Sequence, residues 1–171
     1  MRALYLLRHA ETEGAAPSGG DHARALTPRG EADALQIGNY LRSEAMQPEL
    51  ALCSSAERAR ATLTLVTSQL VAPPHSVIEP ALYGIDAGGL LQLLRQTDAK
   101  VHTVLVVGHN PTLHQLAYAL SGAAEGDALR RLAPNLPPAG LACLVFDVAD
   151  WGGLQPGAGR LRRFVTPDSL P

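Results

Sequence analysis

The run Ala3-Leu4-Tyr5-Leu6-Leu7 limits the possible folds of this chain more than any other stretch. Successive side chains of a strand point to opposite faces, so a strand with no polar residue on either side has to be buried on both. Strands of that kind belong to sheets covered by helices on each face. Their C-terminal ends open onto the crevice where ligands bind. This one stops at Arg8-His9, which predicts a rigid element holding a guanidinium and an imidazole at the mouth of a pocket. A neutral imidazole can attack phosphorus, and the planar fork of an arginine matches phosphoryl oxygens. Taken alone, the dipeptide reads more simply as two solvated residues at a strand end. The other strand ends change that balance.

The β-branched run Val101 to Val107 reads as a central strand and also ends in a polar turn, Gly108-His109-Asn110-Pro111. Pro111 suits a first helical position with Asn110 as its cap. The helix that follows buries Leu113, Leu116, Ala117 and Leu120 and stops at Gly122. A third apolar run, Glu49 to Cys53, ends at Ser54-Ser55-Ala56-Glu57, which reads as a capping box. The helix it opens presents Ala59, Leu63, Val66 and Leu70 on one side and carries Arg58 and Arg60 in its first turn. Cations oppose the helix dipole there. An arginine so placed, just after a strand end, implies a negative partner. Arg58 is read as a ligand-binding residue and Arg60 as a surface one.

The remaining elements fill in an alternating pattern. Thr27-Pro28 caps a helix with Ala34, Ile37, Leu41 and Ala45 on its buried face, ended by Gln47-Pro48. Val77 to Glu79 reads as a short edge strand, Ala81 to Asp86 as a loop and Leu90 to Leu94 as a short helix. Ala123 to Arg131 is small and polar, Gly140 to Val148 is a further strand, and Leu161 to Val165 is a last strand at an edge. Glu13 to Asp21, with Pro17, Gly19 and Gly20, is a flexible loop beside the pocket, and His22 reads as a solvated loop residue. No internal repeat or linker divides the chain, so residues 1–171 are expected to form one α/β domain.

Composition narrows the function. Aromatic residues are only 4% of the chain, so its core has to be built from Leu, Val and Ala. The formal net charge is −2 and no Lys/Arg block is long enough to track a polyanion, which argues against a nucleic-acid partner. Any positive potential is local and suits a small anionic group. No stretch is long enough to span a bilayer and no signal peptide is legible. The two cysteines, Cys53 and Cys143, lie in apolar runs and read as buried free thiols. The expected location is the cytoplasm. No carboxylate pair or Cys/His cluster accompanies the candidate residues, so no metal is expected; His109 and His114 lack a nearby acidic third ligand.

If the three strands lie side by side, one pocket collects His9, His109, Arg8 and Arg58, with the helix starts after Ser54 and Asn110 aimed at it. In this light Leu6-Leu7-Arg8-His9-Ala10 resembles the Arg-His-Gly signature of the histidine phosphatase superfamily, which includes the phosphoglycerate mutases. Leu26-Thr27-Pro28-Arg29-Gly30, Cys53 to Thr62 and Val107-Gly108-His109-Asn110-Pro111 match further blocks in the same order. The small size, the Ala after His9, the Leu136-Pro137 segment and Phe164-Val165-Thr166-Pro167 resemble the compact SixA branch of phosphohistidine phosphatases.

The resemblance implies a three-layer α/β/α sandwich around a mostly parallel, phosphoglycerate-mutase-like sheet. It implies His9 as the nucleophile that becomes phosphorylated, Arg8 and Arg58 as binders of the phosphoryl oxygens, and His109 as a second pocket imidazole donating to the transferring group. Asn110 and Asp21 are further candidates for contact with substrate. No metal or organic cofactor is implied. The implied partner is a phosphorylated protein, a histidine-containing phosphotransfer domain, or a small phosphorylated substrate; the oligomeric state is left open. One feature departs from the pattern: the superfamily's Glu general acid has its best match around Tyr83-Gly84, where no carboxylate stands, and Glu79 and Asp86 are nearby but out of place. An ester needs such an acid for its alkoxide, typically worth about 10²–10⁴ in rate, whereas a P–N bond to a protonated imidazole needs less help. The expected activity is therefore hydrolysis of protein phosphohistidine through phospho-His9. The alternatives are a small-molecule phosphomonoesterase of the same superfamily and a non-catalytic module that binds a phosphorylated ligand.

Overall fold

The computed structural model describes residues 1–171. In chain order the elements are β1 (Arg2–Arg8), α1 (Pro28–Ser43), β2 (Leu50–Cys53), α2 (Glu57–Ser68), β3 (His75–Ile78), α3 (Ala87–Arg95), β4 (Thr103–Gly108), α4 (Thr112–Leu120), β5 (Ser121–Ala124), α5 (Ala128–Leu132), β6 (Leu141–Phe146) and β7 (Gly159–Val165). The strands form one seven-stranded sheet in the order β3-β2-β4-β1-β6-β7-β5. The β1–β4, β2–β4, β2–β3 and β5–β7 pairs are parallel; β6 is antiparallel to both its neighbours.

The apolar run at the N-terminus does what its composition requires. Leu4 and Leu6 enter one core with Val104, Val106, Leu90, Leu94, Leu113 and Leu116, beneath α3 and α4. Tyr5 and Leu7 enter the other with Leu105, Val107, Ile37, Leu41, Leu63 and Val66, beneath α1 and α2. Alternation along a strand thus feeds two cores, and the result is a three-layer α/β/α sandwich. Cys53 and Cys143 are free and buried, and burial pushes both thiols up to about 12. No helix is long and apolar enough to cross a membrane.

Several local expectations are corrected. Ser54 does not cap α2: the helix begins at Glu57 with Ala56 in the cap position and no side-chain cap bond. Asn110 does not cap α4, which begins at Thr112 behind Pro111. α1 ends at Ser43, so Ala45 lies beyond it, exposed and at a positive φ of 55°. Leu70 is buried, but past the end of α2. Residues 80–83 form a short 3-10 turn rather than open loop. β7 is not an edge strand, because β5 lies outside it. β5 (Ser-Gly-Ala-Ala) and α5 (Ala-Leu-Arg-Arg-Leu) overlap the stretch that reads as small and polar; each is too short to carry a readable period.

Candidate active site

Parallel register assembles the site. β1 and β4 are neighbours with Arg8 opposite Gly108, so the next residue on each strand is a histidine at the same edge of the sheet. The His9 and His109 rings lie 5.3 Å apart. β2 flanks β4 with Cys53 opposite Val107, and the Ser54 N–H continues the ladder to the Val107 carbonyl at 3.0 Å. That places Ser54, and one turn later Arg58, beside the two imidazoles. Together Arg8, His9, Arg58, His109, Asn110 and Asp21 line a cavity of about 570 Å³. Every residue singled out from the sequence as catalytic or substrate-binding is on its wall.

His9 sits on the floor, 8% exposed. Its Nδ1 is 2.8 Å from the Ala10 carbonyl. A carbonyl only accepts, so Nδ1 carries the proton and Nε2 keeps a free lone pair. The Ala10 peptide is itself pinned: its N–H donates to Thr62 Oγ1 at 3.0 Å, and the Thr62 hydroxyl donates to the Arg58 carbonyl at 2.7 Å. Burial pushes the imidazole of His9 down to about 4, helped by His109, Arg58 and Arg8 against the opposing Ala10 carbonyl. The imidazole is neutral at pH 7.

The second imidazole is held from the other side. Ser54, fully buried, accepts from the Ala56 N–H at 3.2 Å and lies 2.7 Å from His109 Nε2. This hydrogen bond ties the His109 ring to the end of β2. The other ring nitrogen, Nδ1, is buried with no partner in the protein. Burial and the Arg58 charge bring His109 down to about 4 as well.

The two arginines are poised differently. Arg8 spends Nη1 on the Leu136 carbonyl at 3.2 Å, and its Nε is buried and unpartnered. Arg58 is 7% exposed and also has an unpartnered Nε. Its two terminal nitrogens meet Asp21: Nη1 donates to the backbone carbonyl at 2.8 Å and Nη2 to Oδ2 at 3.0 Å. The negative partner implied by an arginine in a first helical turn is thus present inside the chain. Tyr83 O–H and Arg24 Nη1 also donate to the Asp21 carboxylate. These donors, Tyr83 first and then Arg24 and Arg58, hold Asp21 well below the usual carboxylate range. The loop that reads as flexible is therefore anchored at Asp21, and Arg24 ties it further to Thr12 Oγ1 and the Glu13 carbonyl.

The remaining candidates divide. Asn110 lines the cavity with its amide donated to the Leu136 carbonyl at 2.7 Å. His22 stays outside the wall, bonded to Ser55 Oγ at 2.9 Å with its ring 4.9 Å from that of Tyr83. Glu79 and Asp86 are spent on the Ala81 and Gly89 N–H groups. Neither lines the cavity; its carboxylates are Glu11 and Asp21. His114 is bound to the Leu132 carbonyl at 2.8 Å, and no group of three His, Cys, Asp or Glu is arranged to hold a metal ion. Sequence reasoning missed Ser54, Thr62, Arg24 and Tyr83 as parts of the site. A signal existed for Thr62: it follows Arg58 by one helical turn, polar on a face otherwise made of Ala59, Leu63 and Val66.

Comparison with known proteins agrees with this geometry. Residues 4–101 match the model of the histidine phosphatase superfamily (branch 1). An uncharacterized protein of Mycobacterium tuberculosis is 35% identical over 164 residues, covering 94% of this chain and 99% of that one. An uncharacterized chloroplastic protein of Arabidopsis thaliana is 35% identical over 133 residues, 71% of this chain and 60% of that one. Among solved structures, SixA from Nakamurella multipartitia superposes with a TM-score of 0.83 at 29% identity, over 97% of this chain and 96% of its own. The protein histidine phosphatase SixA complexed with tungstate gives 0.79 at 25% identity, over 99% of both chains.

Proposed function

The chain belongs to the histidine phosphatase superfamily, on its SixA-like branch, and is a phosphatase; from that premise we propose that it hydrolyses phosphohistidine on a protein, a histidine-containing phosphotransfer domain, in the cytoplasm. The observation that carries this reading is the pairing of His9 Nδ1–H with the Ala10 carbonyl, which leaves Nε2 as a nucleophile inside a cluster of cationic donors. In the first step the Nε2 lone pair bonds to phosphorus while the P–N bond of the substrate breaks, its electron pair leaving with the substrate imidazole. Arg8 and Arg58, with the His109 imidazole beside them, take up the charge on the equatorial oxygens, where phosphoryl transfer needs it most. In the second step water attacks phospho-His9, phosphate leaves, and Nε2 regains its lone pair.

Two features support a P–N rather than a P–O substrate. The carboxylates nearest the superfamily's acid position, Glu79 and Asp86, are spent on backbone N–H groups. Asp21 is ionised and already accepts three side-chain donors, so it has no proton to give an alkoxide. The test is a rapid quench with a ³²P-labelled phosphotransfer domain. An acid-labile, base-stable phosphoenzyme should form, and His9→Ala should abolish it and lower turnover by at least about 10³-fold. Efficient turnover of alkyl phosphomonoesters with phosphohistidine left intact would point instead to a small-molecule phosphatase. No phosphoenzyme with any donor would leave a binding module.

A further inference from the structure

An anion-binding cavity that carries an ionised carboxylate on its rim needs a reason for that charge. We propose that Asp21 is the counter-ion of the leaving group: it accepts the N–H of the substrate imidazole's distal nitrogen and keeps that ring protonated while the P–N bond breaks. This rests on the phosphohistidine reading above and deepens it.

In-line displacement puts nucleophile and leaving group on opposite sides of phosphorus. His9 lies on the cavity floor, 8% exposed, so the leaving group departs toward the rim. The Asp21 side chain is there, 51% exposed beside the buried Arg58. Its acceptor capacity can be counted. A carboxylate offers about four acceptor positions, two per oxygen. Oδ2 uses both of its own, on Arg58 Nη2 and Tyr83 O–H. Oδ1 uses one, on Arg24 Nη1. One position on Oδ1 remains, on the solvent side. Glu11, the other carboxylate on the wall, accepts from the Thr27 hydroxyl at 3.0 Å and pairs with neither Arg8 nor Arg58.

Charge decides what can fill that position. A dianionic phosphomonoester leaving as an alkoxide would meet repulsion. An N-phosphorylated imidazole protonated on its distal nitrogen brings a cationic N–H, and a carboxylate favours that form. The enzyme's own nucleophile has the matching arrangement, since His9 bonds phosphorus through Nε2 with Nδ1–H donated to the Ala10 carbonyl. Phosphoryl transfer then runs between two imidazoles, each protonated on the nitrogen away from phosphorus. The leaving ring departs neutral, its distal N–H still on Asp21 and the P–N electron pair on the nitrogen that held phosphorus. The three donors that keep Asp21 ionised leave it unsuited to donating a proton and suited to accepting this bond.

The experiment compares Asp21→Asn with wild type on two donors, phosphoimidazole and p-nitrophenyl phosphate, which has no distal nitrogen. The kcat ratio of phosphoimidazole to p-nitrophenyl phosphate should fall by about tenfold or more, the scale of one charge-assisted hydrogen bond. The alkaline limb of the kcat profile for phosphoimidazole should move to lower pH, because kcat reports ionisation in the complex. Asp21→Glu should restore most of the ratio. An equal loss on both donors would reduce Asp21 to a support for Arg58, and an equal gain would make it a plug on Arg58; either overturns the proposal while the phosphoenzyme reading stands. Failure of wild type to form phospho-His9 from phosphoimidazole would remove the reading beneath it and the proposal together.

Discussion

Ser54 Oγ lies 2.7 Å from His109 Nε2, with the serine fully buried and the imidazole half-buried. The contact joins the end of β2 to the end of β4 and holds the His109 ring in place. Ser54→Ala removes the hydroxyl that holds this ring. It should lower kcat by about tenfold, the worth of roughly one hydrogen bond, with a smaller change in KM. Steady-state kinetics on p-nitrophenyl phosphate check this, and a loss confined to KM would reject this positioning role.

The pH dependence follows from His9 and His109, each brought down to about 4 from the ordinary 6.5. Nucleophilic attack requires neutral His9, so kcat/KM should rise as pH climbs through about 4 and then level off well below neutrality. Stability has the same sign. Between about 6.5 and about 4 the unfolded chain binds protons that the folded rings refuse, so stability falls as pH drops through that window. Thermal melts at pH 7, 5.5 and 4.5 should show Tm decreasing at each step, and replacing both histidines with Gln should flatten that part of the decline.

Thr62 supports the His9–Ala10 turn without reaching the cavity wall. Its hydroxyl accepts from the Ala10 N–H and donates to the Arg58 carbonyl. Thr62→Val keeps the shape and leaves a buried N–H without a partner, a cost of about 1–3 kcal/mol. Denaturant unfolding should register that loss. Because Ala10 also supplies the acceptor for His9, kcat should drop along with stability, and an unchanged kcat would show that the Ala10 peptide holds its place unaided.

Gly30, in the first turn of α1, is a close-approach glycine. A Cβ there would come 2.2 Å from the Glu11 carbonyl oxygen, which is backbone and cannot step aside as a side chain can. Gly30→Ala should therefore destabilise by about 1–3 kcal/mol or more. It should also raise KM, since Glu11 and Thr12 are part of the cavity wall. A Tm within a degree of wild type would contradict this.

The amino-acid sequence by itself determined the layers and pointed to the four principal candidate residues. Unbroken apolar runs such as Ala3 to Leu7 have no soluble alternative to burial on both faces, and a polar residue that ends such a run is delivered to the sheet edge by the strand's own length. Arg8, His9 and His109 were legible for that reason, and Arg58 because a cation in a first helical turn needs an anion. Only the tertiary structure decided what meets at that edge. The parallel register of β1 against β4, set by packing on two cores, made neighbours of two histidines a hundred residues apart. It also turned Ser54 from an apparent helix cap into the partner of His109, and brought Asp21, from a loop with no periodicity, onto Arg58 and Tyr83. Local sequence carries periodicity and end signals. Pairings between distant segments depend on which strand lies beside which, and that is a property of the whole packed sheet.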